Sequence, residues 1–338
     1  MISHNKPTLG LEEEEAAIRV IRSGWVAKGE EVKSFENEFC NFVGLPKGHA
    51  VAVSNGTAAL YLAVLALDGS GKKIASPGYV CSALRHAVDM SKGENVLIDT
   101  EYDSPNIDLK TVYYKNIPIA IIPHTYGIPI NLSNLKKIMV IEDCSHALGA
   151  KINGKSVGLQ GELGIMSLAA TKMITSGGSG GMLVSKNKQL IEKIIDYIEY
   201  DMKKDDNKRF NFQMNDLQAA IGREQLRKLP DFLTRREEIF QKYKIAGLDL
   251  LDISPVDAQT IQPVRFRAVL KTKKQFETIK LLKEHDITSR VLNDEWLISQ
   301  NPKQFPNSFS MVQNSVSLPI YPSLSDEDVE KIISVLVN

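Results

Sequence analysis

Residues 51–60 read VAVSNGTAAL, an apolar run that passes through small polar residues into a second apolar run. The first run, residues 51–54, has the length of a strand, and the second, at 56–67, has the length of a helix. Further β-branched runs lie at 73–77, 95–99, 117–123, 138–143 and 182–184, with helical patterns at 80–90 and 189–202. Apolar strands separated by helices predict an α/β domain with a mainly parallel sheet flanked by helices on both faces.

The pattern changes in the last third of the chain. Residues 216–229 and 235–245 predict two helices, and Pro230 is expected to break or kink the path between them. An alternating run at 264–270, a helix at 274–285, a strand at 315–320 and a final helix capped by Ser325 predict a smaller α+β unit. We therefore expect a large domain at residues 1–245 and a small C-terminal α+β domain at residues 246–338.

Composition excludes several classes of protein. The 338 residues contain 41 Lys plus Arg and 41 Asp plus Glu, and this neutral balance argues against general nucleic-acid binding, though not against one local anion site. The three cysteines are far apart and the histidines lack metal-ligand spacing, so neither a disulfide framework nor a metal site is expected. The N-terminus does not resemble a signal peptide, and no apolar run approaches the roughly 18 residues of a membrane span. We expect a cytoplasmic protein with no membrane or nucleic-acid partner.

Two segments could bind a ligand through the start of a helix. At residues 54–60, free backbone amides and the helix dipole could hold a phosphate, and Thr57 would add a hydroxyl donor. The same residues also fit an ordinary helix N-cap. Residues 211–222, NFQMNDLQAAIG, lead through amide side chains into an amphipathic helix and fit a plain helix start equally well.

Two further segments carry titratable groups. Residues 140–150, VIEDCSHALGA, place Asp143 and His146 after a buried strand, where α/β proteins bind ligands. Asp143 could hold a cation, a metal or a protonated ring nitrogen, or it could cap a loop. Residues 167–181, SLAATKMITSGGSGG, place Lys172 between an apolar strand and a glycine-rich turn. In a low-dielectric setting such a lysine would have a lowered pKa and could form Schiff bases, although it could also lie on a flexible surface loop.

Together with SGWV at 23–26, PHTYG at 123–127 and SLPIYP at 317–322, these segments resemble the DegT/DnrJ/EryC1/StrS family of pyridoxal-phosphate (PLP) sugar aminotransferases of fold type I. The resemblance implies that Lys172 forms a Schiff base with PLP and shuttles the substrate proton. It implies that Asp143 keeps the pyridine nitrogen protonated and that His146 lies beside the 3-oxygen of the ring. The phosphate-binding set that it implies consists of Gly56, Thr57, Ala58 and Ser167.

The resemblance also concerns the assembly and the substrate. Asn211 matches an amide that reaches the phosphate from the neighbouring subunit, which implies a homodimer with composite sites. Cys81 stands where the family often has an aromatic residue stacked on the ring, so Tyr79 is the expected replacement. Gln213 stands in place of an arginine, and Arg290 begins a segment where the family often has a His-Tyr pair near the sugar.

We therefore expect an aminotransferase that transfers an amino group from glutamate to a nucleotide-linked keto sugar through a Schiff base on Lys172. Two alternatives remain open from the sequence. The acceptor could be a cyclitol or another small ketone, because Cys81 and Gln213 stand where the family often has an aromatic residue and an arginine. The chain could also be a PLP-binding relative without turnover, although the intact Lys172, Asp143 and Ser167 argue against this.

Overall fold

The computed structural model describes residues 1–293 and 296–337. The helices of that part of the chain are α1 (Leu11–Ser23), α2 (Glu30–Val43), α3 (Gly56–Ala66), α4 (Ala83–Met90), α5 (Leu109–Tyr114), α6 (Lys188–Ile198), α7 (Asp216–Ile245), α8 (Gln275–Glu284), α9 (Trp296–Gln300), α10 (Pro306–Gln313) and α11 (Asp326–Val337). Its strands are β1 (Ala50–Val53), β2 (Lys73–Pro77), β3 (Glu94–Ile98), β4 (Ile119–Pro123), β5 (Met139–Asp143), β6 (Lys151–Ile152), β7 (Lys155–Ser156), β8 (Leu163–Ser167), β9 (Gly181–Val184), β10 (Ile261–Gln262), β11 (Ala268–Lys271) and β12 (Ser315–Leu318).

Seven of these strands form the central sheet, in the order β1-β9-β8-β5-β4-β2-β3. Neighbouring strands from β8 to β3 are parallel, whereas β9 runs antiparallel to both β8 and β1. The mainly parallel sheet predicted from the sequence is therefore confirmed, with strand ends displaced by one or two residues. Because the parallel strands end at one edge of the sheet, the residues that follow β4, β5 and β8 lie close together.

Helices cover both faces of the sheet. On one face, β-strand residues such as Ile141 and Ile165 pack against apolar residues of α3, α4 and α6. On the other face, Ala52 and Met166 pack in a cluster with residues of α2 and α7. Strands buried on both faces explain why their sequences are apolar throughout rather than alternating.

The predicted break at Pro230 is wrong, because α7 continues from Asp216 to Ile245 with Pro230 inside it. Leu229 before the proline and Phe232 after it are both buried in the same apolar cluster, so packing on the core stabilises the helix on both sides of Pro230. The proline lacks one amide donor, while the Thr234 hydroxyl donates to its carbonyl oxygen at 3.1 Å. Tertiary packing therefore outweighs the local cost of the proline.

The C-terminal unit contains the antiparallel pair of β11 and β12 together with α8 and α11. The Ser325 hydroxyl accepts the Asp328 amide at 3.1 Å, which confirms the predicted cap of α11. The strand expected at 264–270 begins only at Ala268, because the preceding residues turn towards the large sheet and Val264 donates to the Gly127 carbonyl at 2.9 Å.

Residue Ile2 forms a parallel bridge with Ile287, so the first residues of the chain pack on the C-terminal unit. The division of the chain at residues 245 and 246 stays a prediction. No helix within residues 1–293 and 296–337 has the length and apolar character needed to cross a membrane.

Candidate active site

A cavity of about 250 Å³ lies where β4, β5 and β8 end and α3 begins. Its lining includes six of the residues singled out in the sequence, namely Gly56, Thr57, Asp143, His146, Ser167 and Lys172. Ala58, Tyr79 and Asn211 do not line it. The fold thus brings together residues that are up to 116 positions apart in the chain, from Gly56 to Lys172.

The start of α3 offers amide donors to the cavity. The Asn55 side chain accepts the Ala58 amide at 2.8 Å, so that donor belongs to the helix cap, and a phosphate-binding role for the Ala58 amide is not supported. Gly56 and Thr57 are the first two residues of the helix, and their amides have no intrahelical acceptor. A Cβ at Gly56 would lie 2.8 Å from Cβ of Ser167, so the helix start and this serine are in close contact.

The glycine-rich turn at 177–181 supports the start of α3 from behind. A Cβ at Gly181 would lie 2.5 Å from the Asn55 carbonyl oxygen, which is too close for any side chain. The Ser179 hydroxyl donates to the Ser54 carbonyl at 2.9 Å, and Gly178 adopts a φ of 119° that favours glycine. These glycines therefore position the helix start rather than line the cavity.

Lys172 lies in the cavity rather than on a surface loop. Its Nζ is 5.5 Å from the centroid of the Phe266 ring. Burial lowers the pKa of Lys172, and the positive charge of Arg267 adds to this, while the Asp143 carboxylate opposes it. The Asp143 carboxylate is held by the Ser145 amide, which donates to Oδ1 at 2.9 Å. A lowered pKa increases the fraction of neutral, nucleophilic amine at neutral pH.

Glu142, the neighbour of Asp143, points into the core instead, because successive side chains of a strand face opposite sides. His124 Nδ1 accepts the Ile130 amide at 3.2 Å, so its Nε2 carries the proton that is donated to Glu142 at 3.0 Å. Burial raises the pKa of Glu142, but hydrogen bonds from His124 and from backbone amides such as that of Gly158 bring it below its ordinary value. With Cys144, these residues form a buried cluster of metal-ligand types, in which both His124 nitrogens are already hydrogen-bonded, Nε2 to Glu142 and Nδ1 to the Ile130 amide.

His146 is a neutral hydrogen-bond donor. Its ring stacks on Phe266, with centroids 4.1 Å apart, and its Nδ1 accepts the Tyr126 amide at 3.4 Å. Burial holds the pKa of His146 well below its ordinary value, and the positive charges of Lys172 and Arg267 add to this. A neutral imidazole that accepts at Nδ1 carries its proton on Nε2, which is then the donor.

Tyr79 does not occupy the stacking position expected for it. Its side chain is fully buried outside the cavity, and its hydroxyl lies 2.7 Å from that of Tyr126. A buried phenol requires a hydrogen-bond partner, and Tyr126 supplies one at that location. Cys81, which follows two residues later, lines the cavity instead. The position expected for an aromatic residue is thus taken by a small thiol side chain.

Asn211 is exposed on the surface of the single chain and lies outside the cavity. The next residue, Phe212, accepts the Ser54 amide at 2.8 Å, so this loop runs beside the residues that precede α3. Gln213 donates to the Ile198 carbonyl at 3.0 Å, which gives it a structural contact. The contribution of Asn211 to a partner's site stays a prediction.

Three residues of this region were not singled out from the sequence: Phe266, Arg267 and Asn293. The run that contains Phe266 and Arg267 alternates apolar and basic residues, a pattern that indicated only a strand. Asn293 donates to the Tyr126 hydroxyl at 3.3 Å and lines the cavity from the C-terminal part of the chain. No local signal marks such residues, since their position depends on contacts between distant segments.

The chemistry of these groups fits PLP. The amides of Gly56 and Thr57, next to Ser167, are donors suited to a phosphate at a helix start, where a Cβ on Gly56 would fill the space. Asp143 provides a carboxylate for a protonated ring nitrogen, and Lys172 provides an amine for an aldehyde carbon.

Comparison with known proteins agrees with this geometry. The model of the DegT/DnrJ/EryC1/StrS aminotransferase family matches residues 7–337. The chain is 28% identical to GDP-perosamine synthase from Escherichia coli O157:H7, covering 96% of this chain and 94% of the relative. It is 30% identical to dTDP-4-dehydro-2,3,6-trideoxy-D-glucose 4-aminotransferase from Saccharopolyspora spinosa, covering 72% and 70%.

Among solved structures, the sugar aminotransferase Spr1654 from Streptococcus pneumoniae, in its pyridoxamine-phosphate form, superimposes with a TM-score of 0.91 at 21% identity, covering 99% of this chain and 98% of that one. At this identity the similarity establishes the fold. The family match over nearly the whole length establishes the kind of enzyme. The chain therefore belongs to the DegT/DnrJ/EryC1/StrS aminotransferase family, a family of PLP-dependent enzymes.

Proposed function

We propose that this enzyme transfers an amino group from glutamate to a keto sugar carried on a nucleotide, with Lys172 as the residue that binds PLP covalently. The observation that carries the proposal is the meeting of Lys172, Asp143 and the start of α3 in one cavity. The relatives named for GDP- and dTDP-linked sugars support the sugar and its nucleotide.

Each residue has a role that follows from its surroundings. Bound PLP supplies an electron sink for the carbon that loses its proton. Lys172, with its lowered pKa, is the base that takes this proton and returns it. Asp143, fixed by the Ser145 amide, holds a proton on the ring nitrogen. His146 donates from Nε2 to a ring oxygen, and Ser167, Gly56 and Thr57 bind the phosphate.

Two further elements of the proposal concern the assembly. The active enzyme is a homodimer in which Asn211 reaches the phosphate site of the partner subunit. Its exposure beside the start of α3 supports this, because an exposed amide at that place is available to a second copy. We place the enzyme in the cytoplasm, where nucleotide-linked sugars would be its substrates.

The test is an absorbance spectrum of the PLP-loaded enzyme before and after addition of glutamate. We expect a band near 410 nm, typical of PLP bound to a lysine, to shift to about 330 nm as the amino group is taken up. The Lys172→Ala variant should lack the 410 nm band, whereas the exposed-lysine control Lys155→Ala should behave as wild type. A band that ignores glutamate would favour a non-catalytic PLP-binding protein or another amino donor.

The acceptor is tested on the form produced by glutamate. A nucleotide-linked keto sugar should restore the 410 nm band, and a free keto cyclitol should not. The cyclitol alternative has one observation in its favour, which is Cys81 in place of the aromatic residue that the family often has. Restoration by the cyclitol alone would therefore replace the proposed acceptor while leaving the amino-transfer reaction in place.

A further inference from the structure

A second cavity, of about 510 Å³, adjoins the cavity of Lys172. The two share Asn293 in their linings, and Thr171, the residue immediately before Lys172, also lines the second one. Asn5 from the N-terminal segment closes part of it and donates to the Thr171 carbonyl at 2.9 Å. A molecule whose amino group is at Lys172 could therefore extend into this space.

The described lining of the second cavity carries positive charge. Its lining contains two arginines, Arg267 and Arg290, and no carboxylate among the residues that the structure describes. His4 also lines it, with its Nε2 placed 2.8 Å from the Ser317 hydroxyl. Burial lowers the pKa of His4 to about 3, and the two nearby arginines add to the effect, so this histidine is neutral at physiological pH. The charge of the described lining is thus that of two guanidinium groups.

Arg267 lacks a protein partner in the described part of the chain. Its Nη1 is inaccessible to solvent and makes no hydrogen bond to any residue of 1–293 or 296–337, while the guanidinium lies 4.2 Å from the Phe266 centroid. Arg265, two positions earlier, is by contrast paired with Glu237 at 2.7 Å and with Asp252 at 2.6 Å. Burial lowers the pKa of Arg267 to about 10, so it stays charged at neutral pH.

A buried guanidinium nitrogen without a hydrogen-bond partner, such as Arg267 Nη1 among the described residues, is costly, and an anion that binds there removes this cost. The position of Arg267 indicates which anion. Both cations lie near the ring of Phe266: Lys172 Nζ is 5.5 Å and the Arg267 guanidinium 4.2 Å from its centroid. An amino acid carries its amino group and its carboxylate on the same carbon. A cation beside the reactive lysine is therefore what recognition of an amino-acid donor requires, and the planar guanidinium matches a carboxylate.

We propose that Arg267, with the exposed Arg290 at the outer side of the cavity, binds the carboxylate oxygens of the amino-acid donor. This inference rests on the proposed function, because it assigns a subsite of the same reaction. Phosphate oxygens of a nucleotide-linked acceptor offer similar chemistry, and the experiment separates the two sources. A carboxylate at Arg267 would leave the donor's amino group directed towards Lys172.

The experiment measures anion binding to the PLP-loaded enzyme by titration calorimetry. Glutarate, a dicarboxylate without an amino group, represents the donor, and inorganic pyrophosphate represents the acceptor. In Arg267→Gln we expect glutarate to bind at least ten-fold more weakly, with Arg267→Lys between this variant and wild type. The control Lys273→Gln removes an exposed positive charge of the C-terminal unit and should bind glutarate as wild type does.

Weaker glutarate binding with pyrophosphate binding unchanged supports the proposal, whereas weakening of both to the same extent identifies a general anion site and overturns the assignment to the donor. Unchanged glutarate binding overturns it, and a loss of pyrophosphate binding in that case assigns Arg267 to the acceptor. If Arg267→Gln fails to fold, Arg290→Gln at the exposed position serves instead, with an expected weakening of at least three-fold and the same contrary result.

The concentration of glutamate that gives half-maximal conversion of the 410 nm band provides the second measurement. We expect it to rise at least ten-fold in Arg267→Gln while the 410 nm band itself is unchanged. Wild-type conversion with the same glutamate dependence in the variant would overturn this inference and leave the proposed function standing. Failure of the wild type to convert would instead contradict the proposed function.

Discussion

The contact between Gly56 and Ser167 makes the proposed phosphate site sensitive to a single methyl group. In Gly56→Ala the new Cβ would lie 2.8 Å from Cβ and 3.3 Å from Cα of Ser167. Ordinary carbon contacts are about 3.5–4.0 Å, so the helix start must move away by roughly 1 Å. Overpacking of this kind costs about 1–3 kcal/mol, and the helix preference of alanine offsets up to about 1 kcal/mol.

The net loss of stability in Gly56→Ala should therefore be about 0–3 kcal/mol, and the affinity for PLP should fall as well. Loss of one hydrogen bond to a charged phosphate costs about 1.5–3 kcal/mol, which corresponds to a dissociation constant about ten-fold to a hundred-fold higher. Equilibrium dialysis of PLP, with urea unfolding in parallel, measures both quantities.

Gly69→Ala is the matched control for this variant. Its Cβ would lie 2.6 Å from Cγ1 of Val64, just beyond the other end of α3 and outside the cavity lining. We expect this control to lose stability and to keep wild-type affinity for PLP. A Gly56→Ala enzyme that binds PLP within about two-fold of wild type would refute the role given to the start of α3.

Three further predictions concern the Asp143 carboxylate, the buried Glu142 and the proline inside α7. Asp143→Asn should retain PLP but lower the rate of glutamate conversion about a hundred-fold or more in stopped-flow absorbance, because the ring nitrogen loses its proton; a wild-type rate would assign that proton to another group. Glu142→Gln should destabilise the protein by about 1.5–3 kcal/mol at pH 7, since an uncharged amide replaces the carboxylate that accepts from the neutral His124 and from backbone amides such as that of Gly158. Because the pKa of Glu142 is lowered in the folded state, the difference in free energy of unfolding between wild type and variant should be constant above pH 4.5 and decrease as the pH falls below it. Urea unfolding at several pH values measures this difference, and a difference that does not decrease at low pH contradicts the role of the charged carboxylate. Pro230→Ala should stabilise α7 by about 1–3 kcal/mol in the same assay by restoring an amide donor, and a loss of stability would mean that the packing depends on the proline.

The sheet was predictable because its signals are local, and the candidate site residues came from the resemblance of several segments to one family. Buried parallel strands are apolar along their length, and the loop residues after them, such as His146, follow at fixed positions. The approximate ends of β2, β4 and β5 were predicted for this reason. The place of Lys172 between a strand and a glycine-rich turn left a buried and a surface position open, and the structure places it in the cavity lining.

The errors arise where distant packing decides the local structure. Pro230 was expected to break a helix that tertiary contacts hold continuous. Tyr79 was expected over the ring, but its hydroxyl is bound to Tyr126, 47 positions away. Ala58 was placed in the expected phosphate-binding set, whereas in the structure its amide donates to the side chain of Asn55. Arg267 was not singled out at all, because its lack of a partner is a property of the folded chain.

The central claim is that Lys172 is the residue that binds PLP covalently in this cavity. Borohydride reduction of the PLP-loaded enzyme, followed by protease digestion and mass spectrometry of the peptides, tests it directly. We predict a phosphopyridoxyl group on the peptide that contains Lys172, with no label there when glutamate is added before the reduction. A label on another lysine, or none on Lys172, would contradict the account.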